Sequence, residues 1–127
     1  MSQTEFYLQD AVKAFTVLAA DRALQDRAIE SCQQSLQNCM LEERELGLQA
    51  LGGWSLEEIE LHFEKCSLVF SHKQIEYPFI DTQIGLYIKD VDGGWSDRLI
   101  SIGSYRLLTL LDGTIDDDYL VILTEKS

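Results

Sequence analysis

The strongest constraint on this chain lies near its end, where Leu99 to Leu123 holds two apolar, β-prone segments, LISIGSYRLLTLL and YLVIL, around an acidic break, DGTIDDD. Ile102, Ser104, Arg106 and Leu108 alternate with Gly103, Tyr105, Leu107 and Thr109 in the period of two that a strand imposes. Neither alternate set is wholly apolar. A tight turn centred on Asp112-Gly113, which that dipeptide favours, would set Leu107 opposite Asp118 and Tyr105 opposite Leu120. It would also put Asp116 and Asp118 on the face of Leu107 and Leu111, and a carboxylate buried without a partner carries a large desolvation penalty. We therefore expect a longer loop from Asp112 to Asp117 and a returning strand that begins near Asp118.

Two adjacent strands are marginal by themselves, so the pair needs further strands beside it and an apolar layer against one face. The middle of the chain offers the strands. In SLEEIELHFEKCSLVF, Ile59, Leu61 and Phe63 alternate with Glu58, Glu60, His62 and Glu64. The same stretch carries a competing helix signal, with Ser55 as cap and Glu58 completing a capping box. We expect a strand near 57–64, a turn or bulge around Glu64 to Cys66, and a second strand near 67–71. Pro78 disfavours a central strand position and holds Tyr77 extended. Ile84 to Val91 then reads as another strand, and Asp92-Gly93-Gly94 as a turn towards Leu99.

The front of the chain offers the covering layer. Leu8, Ala11, Val12, Phe15, Leu18 and Ala19 recur at helical intervals between Thr4 and about Ala20, and Leu24, Ala28, Cys32, Leu36 and Cys39 or Met40 do so after Asp21. Gly52-Gly53 is the first clear break and is expected to end the helical half. The resulting fold class is α+β: N-terminal helices, about 4–51, packed on a C-terminal antiparallel meander of four to five strands, about 57–124. At 127 residues one domain is expected.

Twenty-two acidic residues against ten basic ones give a formal net charge of −12. Such a field disfavours nucleic acid and anionic membranes and attracts a basic partner. MSQTEFYLQD has no basic region before an apolar core, and the apolar stretch AVKAFTVLAA is too short to cross a bilayer. Three cysteines without a framework of close spacings read as free thiols in a reducing compartment, the cytoplasm by default.

No signature of a reaction stands out. The chain contains no GxxxxGK[ST], no GxGxxG, no G-x-S-x-G and no H-E-x-x-H, and no cofactor is expected. Asp112, Asp116, Asp117 and Asp118 form the sharpest acidic group and are the candidate metal ligands, since a hard cation takes several converging oxygens. Asp90, Asp92 and Asp97 resemble half of a calcium loop only superficially, because Ser101 stands where a bidentate Glu is required. Asp81 with the loop carboxylates would be the acid and base of a carboxylate-based enzyme. Cys32, Cys39, His62, Cys66 and His72 are zinc-binding types without the close pairs of a structural site. The candidate binding residues are Tyr87, Trp95, Arg98, Arg106 and Tyr119: aromatics that enrich interfaces and rare positive charges in an acidic field. Together these features favour a small acidic module that binds another protein, a basic one if charge decides, through one face of the sheet, with a homodimer compatible. The alternative is a small enzyme or a domain that binds a metal or ligand at the Asp112 to Asp118 loop.

Overall fold

The computed structural model describes residues 3–20, 23–47, 50–70, 78–90 and 98–126, and within 3–20 the side chains of 9–17. It contains two helices, α1 (Gln3–Ala20) and α2 (Ala23–Leu46), followed by four strands, β1 (Glu60–Val69), β2 (Phe79–Asp90), β3 (Arg98–Leu110) and β4 (Ile115–Ile122). The strands form one sheet in the order β1-β2-β3-β4, each antiparallel to its neighbours. The α+β arrangement read from the sequence is the arrangement observed.

Helix α2 is built from strong helix formers with no internal Gly or Pro. It buries Leu24, Ala28, Cys32 and Leu36, the stripe expected from periodicity. It stops at Leu46, earlier than the expected end at Gly52-Gly53. Gly47 adopts a left-handed φ of 69° and its N–H donates to the Glu43 carbonyl at 3.0 Å, the cap that glycine makes without steric cost. Gly52 and Gly53 also have positive φ but lie in the turn beyond. The predicted α1 stripe holds at Ala11, which is buried, and fails at Val12, which is exposed.

Both signals in the middle segment are realised, at different places. Ser55 donates through its N–H and hydroxyl to Glu58 Oε1, each at 3.1 Å, so one half of the capping box forms, while the Glu58 N–H donates to the Ser55 carbonyl at 3.1 Å. It closes only a single turn, and from Glu60 the chain is a strand. The two expected strands are one, bent where Glu64 is left over between the pairs Phe63–Ile84 and Lys65–Gln83. Strand β2 starts at Phe79, directly after Pro78 and five residues before the expected start at Ile84. Proline is accepted there because it precedes the first ladder residue. Val91 and the Asp92-Gly93-Gly94 turn lie outside the described residues.

The β3–β4 connection corrects the expected register. Strand β4 begins at Ile115, not near Asp118, after a tight turn in which Gly113 (φ 91°) donates to the Leu110 carbonyl at 2.9 Å. Leu107 pairs with Asp118 and Tyr105 with Leu120, and Asp116 is the extra residue of a bulge. The penalty that argued against this register is offset by partners. Asp118 lies at the exposed sheet edge and its Oδ2 accepts the Tyr105 hydroxyl at 2.8 Å and the Ser35 hydroxyl at 3.1 Å. Because Tyr105 gives its one proton to Asp118, the Ser31 hydroxyl, 2.6 Å away, donates to Tyr105. This chain of bonds ties α2 to β3 and β4.

One face of the sheet packs against the helices. Ala28, Cys32 and Leu36 of α2 meet Ile84, Leu86 and Ile88 of β2 and Ile102, Tyr105 and Leu107 of β3, with Leu51 and Ile59 closing the end. Alternation sends the other side chains of these strands to the opposite face, where no described element packs.

Candidate functional site

The face away from the helices is the candidate interface. Register places Glu60, His62 and Lys65 of β1, Asp81, Gln83, Tyr87 and Lys89 of β2, Arg106 of β3, and Asp117, Tyr119 and Val121 of β4 on it. Three of the five candidate binding residues, Tyr87, Arg106 and Tyr119, thus share one surface, and Arg106 and Tyr119 are direct cross-strand partners. Arg98 does not join them. It opens β3 opposite Asp90 at the far end of the sheet, in the alternate set that points towards the helices. Trp95 lies outside the described residues, as do His72, Asp92 and Asp97.

At the centre of the face, Arg106 is held against Asp81. Its Nε donates to both carboxylate oxygens, at 3.2 and 3.0 Å, and its Nη2 donates to Oδ2. The Asp81 side chain is only 6% exposed, whereas that of Arg106 is 45% exposed. A buried carboxylate needs its counter-charge, and the bidentate fork of Arg supplies it in a fixed plane. The Asp81 contact also raises the Arg106 pKa above its ordinary value. Asp81 is therefore engaged as an anchor for Arg106.

Beside this pair, the Tyr87 hydroxyl donates to Glu64 Oε1 at 2.7 Å, and the His62 ring meets the Tyr87 ring edge to face with centroids 5.3 Å apart. Glu60 lies 3.4 Å from His62 Nε2 and 3.7 Å from Lys89 Nζ. On the other flank, Tyr119 donates to Asp117 Oδ2 at 3.0 Å. The hydrogen bonds to Glu64 and Asp117 raise the pKa of Tyr87 and Tyr119 respectively, so both stay neutral donors well above physiological pH. The aromatic rings are held by carboxylates while part of each stays in solvent: Tyr119 is 48% exposed and its neighbour Val121 44%. The Tyr87–Glu64–His62 cluster escaped sequence reasoning. Its signal was the wet set Glu60, His62 and Glu64, whose position opposite Tyr87 depends on the bulge.

The four candidate metal ligands are not gathered. Asp112 Oδ1 caps its own turn by accepting the Thr114 N–H at 2.8 Å, which lowers its pKa. Asp117 and Asp118 are consecutive strand residues and point to opposite faces; Asp118 reaches α2 while Asp117 holds Tyr119. Among the described residues no three His, Cys, Asp or Glu side chains are placed to hold a metal ion. Burial pushes the Cys32 thiol up to about 12, with Asp118 adding to the shift, and burial also raises Cys39 and Cys66. These are the environments of inert thiols rather than activated nucleophiles.

Two grooves open elsewhere. One of about 650 Å³ runs between the end of α2 and the following turns, past Met40, Glu43, Leu51, Trp54 and Leu56. Another, of about 530 Å³, follows Arg27, Ser31, Gln34 and Ile115. The first is bordered by a latch made with Thr124 and Lys126. Trp54 Nε1 donates to the Thr124 carbonyl at 2.8 Å, and Lys126 Nζ lies 5.6 Å from the centroid of the Trp54 ring and 2.9 Å from Glu58 Oε2. Among the described residues no helix is long and apolar enough to cross a membrane. Comparison with protein-family models, with curated proteins and with solved structures finds no match for this chain.

Proposed function

We propose that this chain is a small protein-interaction module that binds a macromolecular partner through the open face of its sheet. The observation that carries this proposal is the asymmetry of the sheet: α2 covers one face, while the other presents Tyr87, Arg106, Tyr119 and Val121 with no described element over them. A mixed patch of oriented tyrosines, one guanidinium and an aliphatic side chain has the composition of an interface centre. The hydrogen bonds to Glu64, Asp81 and Asp117 hold these groups in place before binding, which reduces the entropy lost on association. The net charge of −12 favours a basic partner and speeds its approach at low salt. A carboxylate-based reaction finds no comparable support, since Asp81 is anchored to Arg106 and Asp112, Asp117 and Asp118 bond to different parts of the fold.

The test is affinity capture with the immobilised chain beside two variants: Tyr87→Ala combined with Tyr119→Ala on the open face, and Val17→Ala on α1. A protein retained by the wild type and by the helix variant, lost with the face variant and released by salt, is the expected result. Retention that ignores the face variant would remove the proposal.

A further inference from the structure

The open face ends at two sheet edges, and they differ. Strand β1 is interrupted near its middle by the Glu64 bulge, a device that blunts an edge. The bulge of β4 lies at its very start, at Asp116, and the strand from Asp117 to Ile122 pairs regularly with β3, its one strand partner among the described residues. The direction of its backbone groups follows from one bond. Leu123 donates its N–H to the Ile102 carbonyl at 2.8 Å, and N–H groups alternate along an antiparallel strand, so those of Asp118, Leu120 and Ile122 point away from β3. The Asp118 N–H is taken by Asp117 Oδ1 at 2.8 Å. Leu120 and Ile122 thus aim N–H and C=O groups outward, flanked by the exposed side chains of Tyr119, Val121 and Leu123.

We infer that the β4 edge accepts an extended, lysine- or arginine-bearing segment of a partner protein as a fifth strand, paired along Leu120 and Ile122 with its positive charges near Asp116, Asp117 and Asp118. This rests on the interaction module proposed above and names the partner's form. The main-chain bonds supply affinity, and alternate side chains of the added strand reach the open face beside Tyr119 and Val121. Charge selects the occupant. A second copy of this chain would bring another run of three aspartates and a further net charge of −12 to the same ribbon, whereas a basic strand neutralises the aspartates that otherwise keep the edge soluble.

The probe is a synthetic peptide of about eight residues, a common strand length, alternating lysine with valine, compared with its glutamate counterpart. Binding is followed by amide chemical shifts and hydrogen exchange on the full chain. The lysine peptide is expected to protect the Leu120 and Ile122 amides and to weaken as salt rises, with the glutamate peptide giving no protection. Asp116 is exposed and sits at the bulge, so its replacement leaves the ladder intact. Asp116→Asn is expected to weaken the lysine peptide about threefold and Asp116→Lys about tenfold. Equal binding of both peptides, unprotected Leu120 and Ile122 amides, or dimerisation of the free chain through β4 would each overturn the inference. Shifts confined to Tyr87 and Lys89 would sink the edge and leave the face proposal standing. Protection at the edge, together with partner capture that ignores Tyr87→Ala and Tyr119→Ala, would do the reverse.

Discussion

At the residue scale the Asp81–Arg106 pair is the most exacting feature of the open face, because its two members differ in exposure. Arg106→Ala strands a buried carboxylate and is expected to cost about 3 kcal/mol in urea unfolding. Asp81→Asn leaves behind a guanidinium that already reaches water, so about 1 kcal/mol is expected. Equal costs would show that the burial difference has no energetic weight. The buried thiol and phenol on the other face contribute to the alkaline limit. Burial holds Cys32 near 12 against an ordinary 9.0, and Tyr105 near 12 against 10.0. A group whose folded pKa is raised stays protonated in the native state while the unfolded chain has begun to ionise. Its contribution is complete below the unfolded value and is lost as pH climbs towards the folded one. Stability is therefore expected to fall from about pH 9 upward, and the urea midpoint of Cys32→Ala to fall less steeply between pH 8.5 and 10. A midpoint that rose over that window would contradict the assignment.

At the scale of elements, two glycines in the ladder separate backbone contact from side-chain contact. A Cβ on Gly103 would meet the Val121 carbonyl and the Ile122 backbone, neither of which can move without lifting β4. Gly103→Ala is expected to destabilise by about 3 kcal/mol and to expose the β4 amides to exchange before those of β1 and β2. A Cβ on Gly85 meets the ends of the Glu64 and Tyr87 side chains, which can rotate. Gly85→Ala is expected to cost under about 1 kcal/mol while breaking the Tyr87–Glu64 bond, and so offers a way to loosen the open face in a folded protein. Much of this layout was legible in the residues. Leu24, Ala28, Cys32 and Leu36 gave the buried stripe of α2 through spacing alone, and Ile59 to Phe63 gave β1 through alternation. The β3–β4 register was not legible, because Ser35 and Tyr105, which meet the demand of Asp118, are 83 and 13 residues away in the chain. The competing Ser55–Glu58 helix signal rightly gives way to the expected strand, being a true local bond that closes one turn and starts no helix.

For the whole molecule the decisive property is the asymmetry of a sheet that is dry on one face and wet on the other. Helix α2 lies across β1, β2 and β3 on the dry face, and α1 packs against α2 and β1. Tyr87, Arg106 and Tyr119 could be proposed from sequence, but their union into one surface depended on strand parity and on bulges at Glu64, Ile102 and Asp116. The first is the turn or bulge expected around Glu64 to Cys66, whereas those at Ile102 and Asp116 are set by long-range pairing and leave no local mark. The most direct test of the account is covalent footprinting of the full chain in dilute buffer and again in clarified extract of its source cells. Tyr87, Tyr119 and Val121 are expected to label in buffer and to become protected in extract, with Val12 and Val17 on α1 labelling equally in both. Protection confined to Val12 and Val17, with the three open-face residues labelled alike in both conditions, would contradict it.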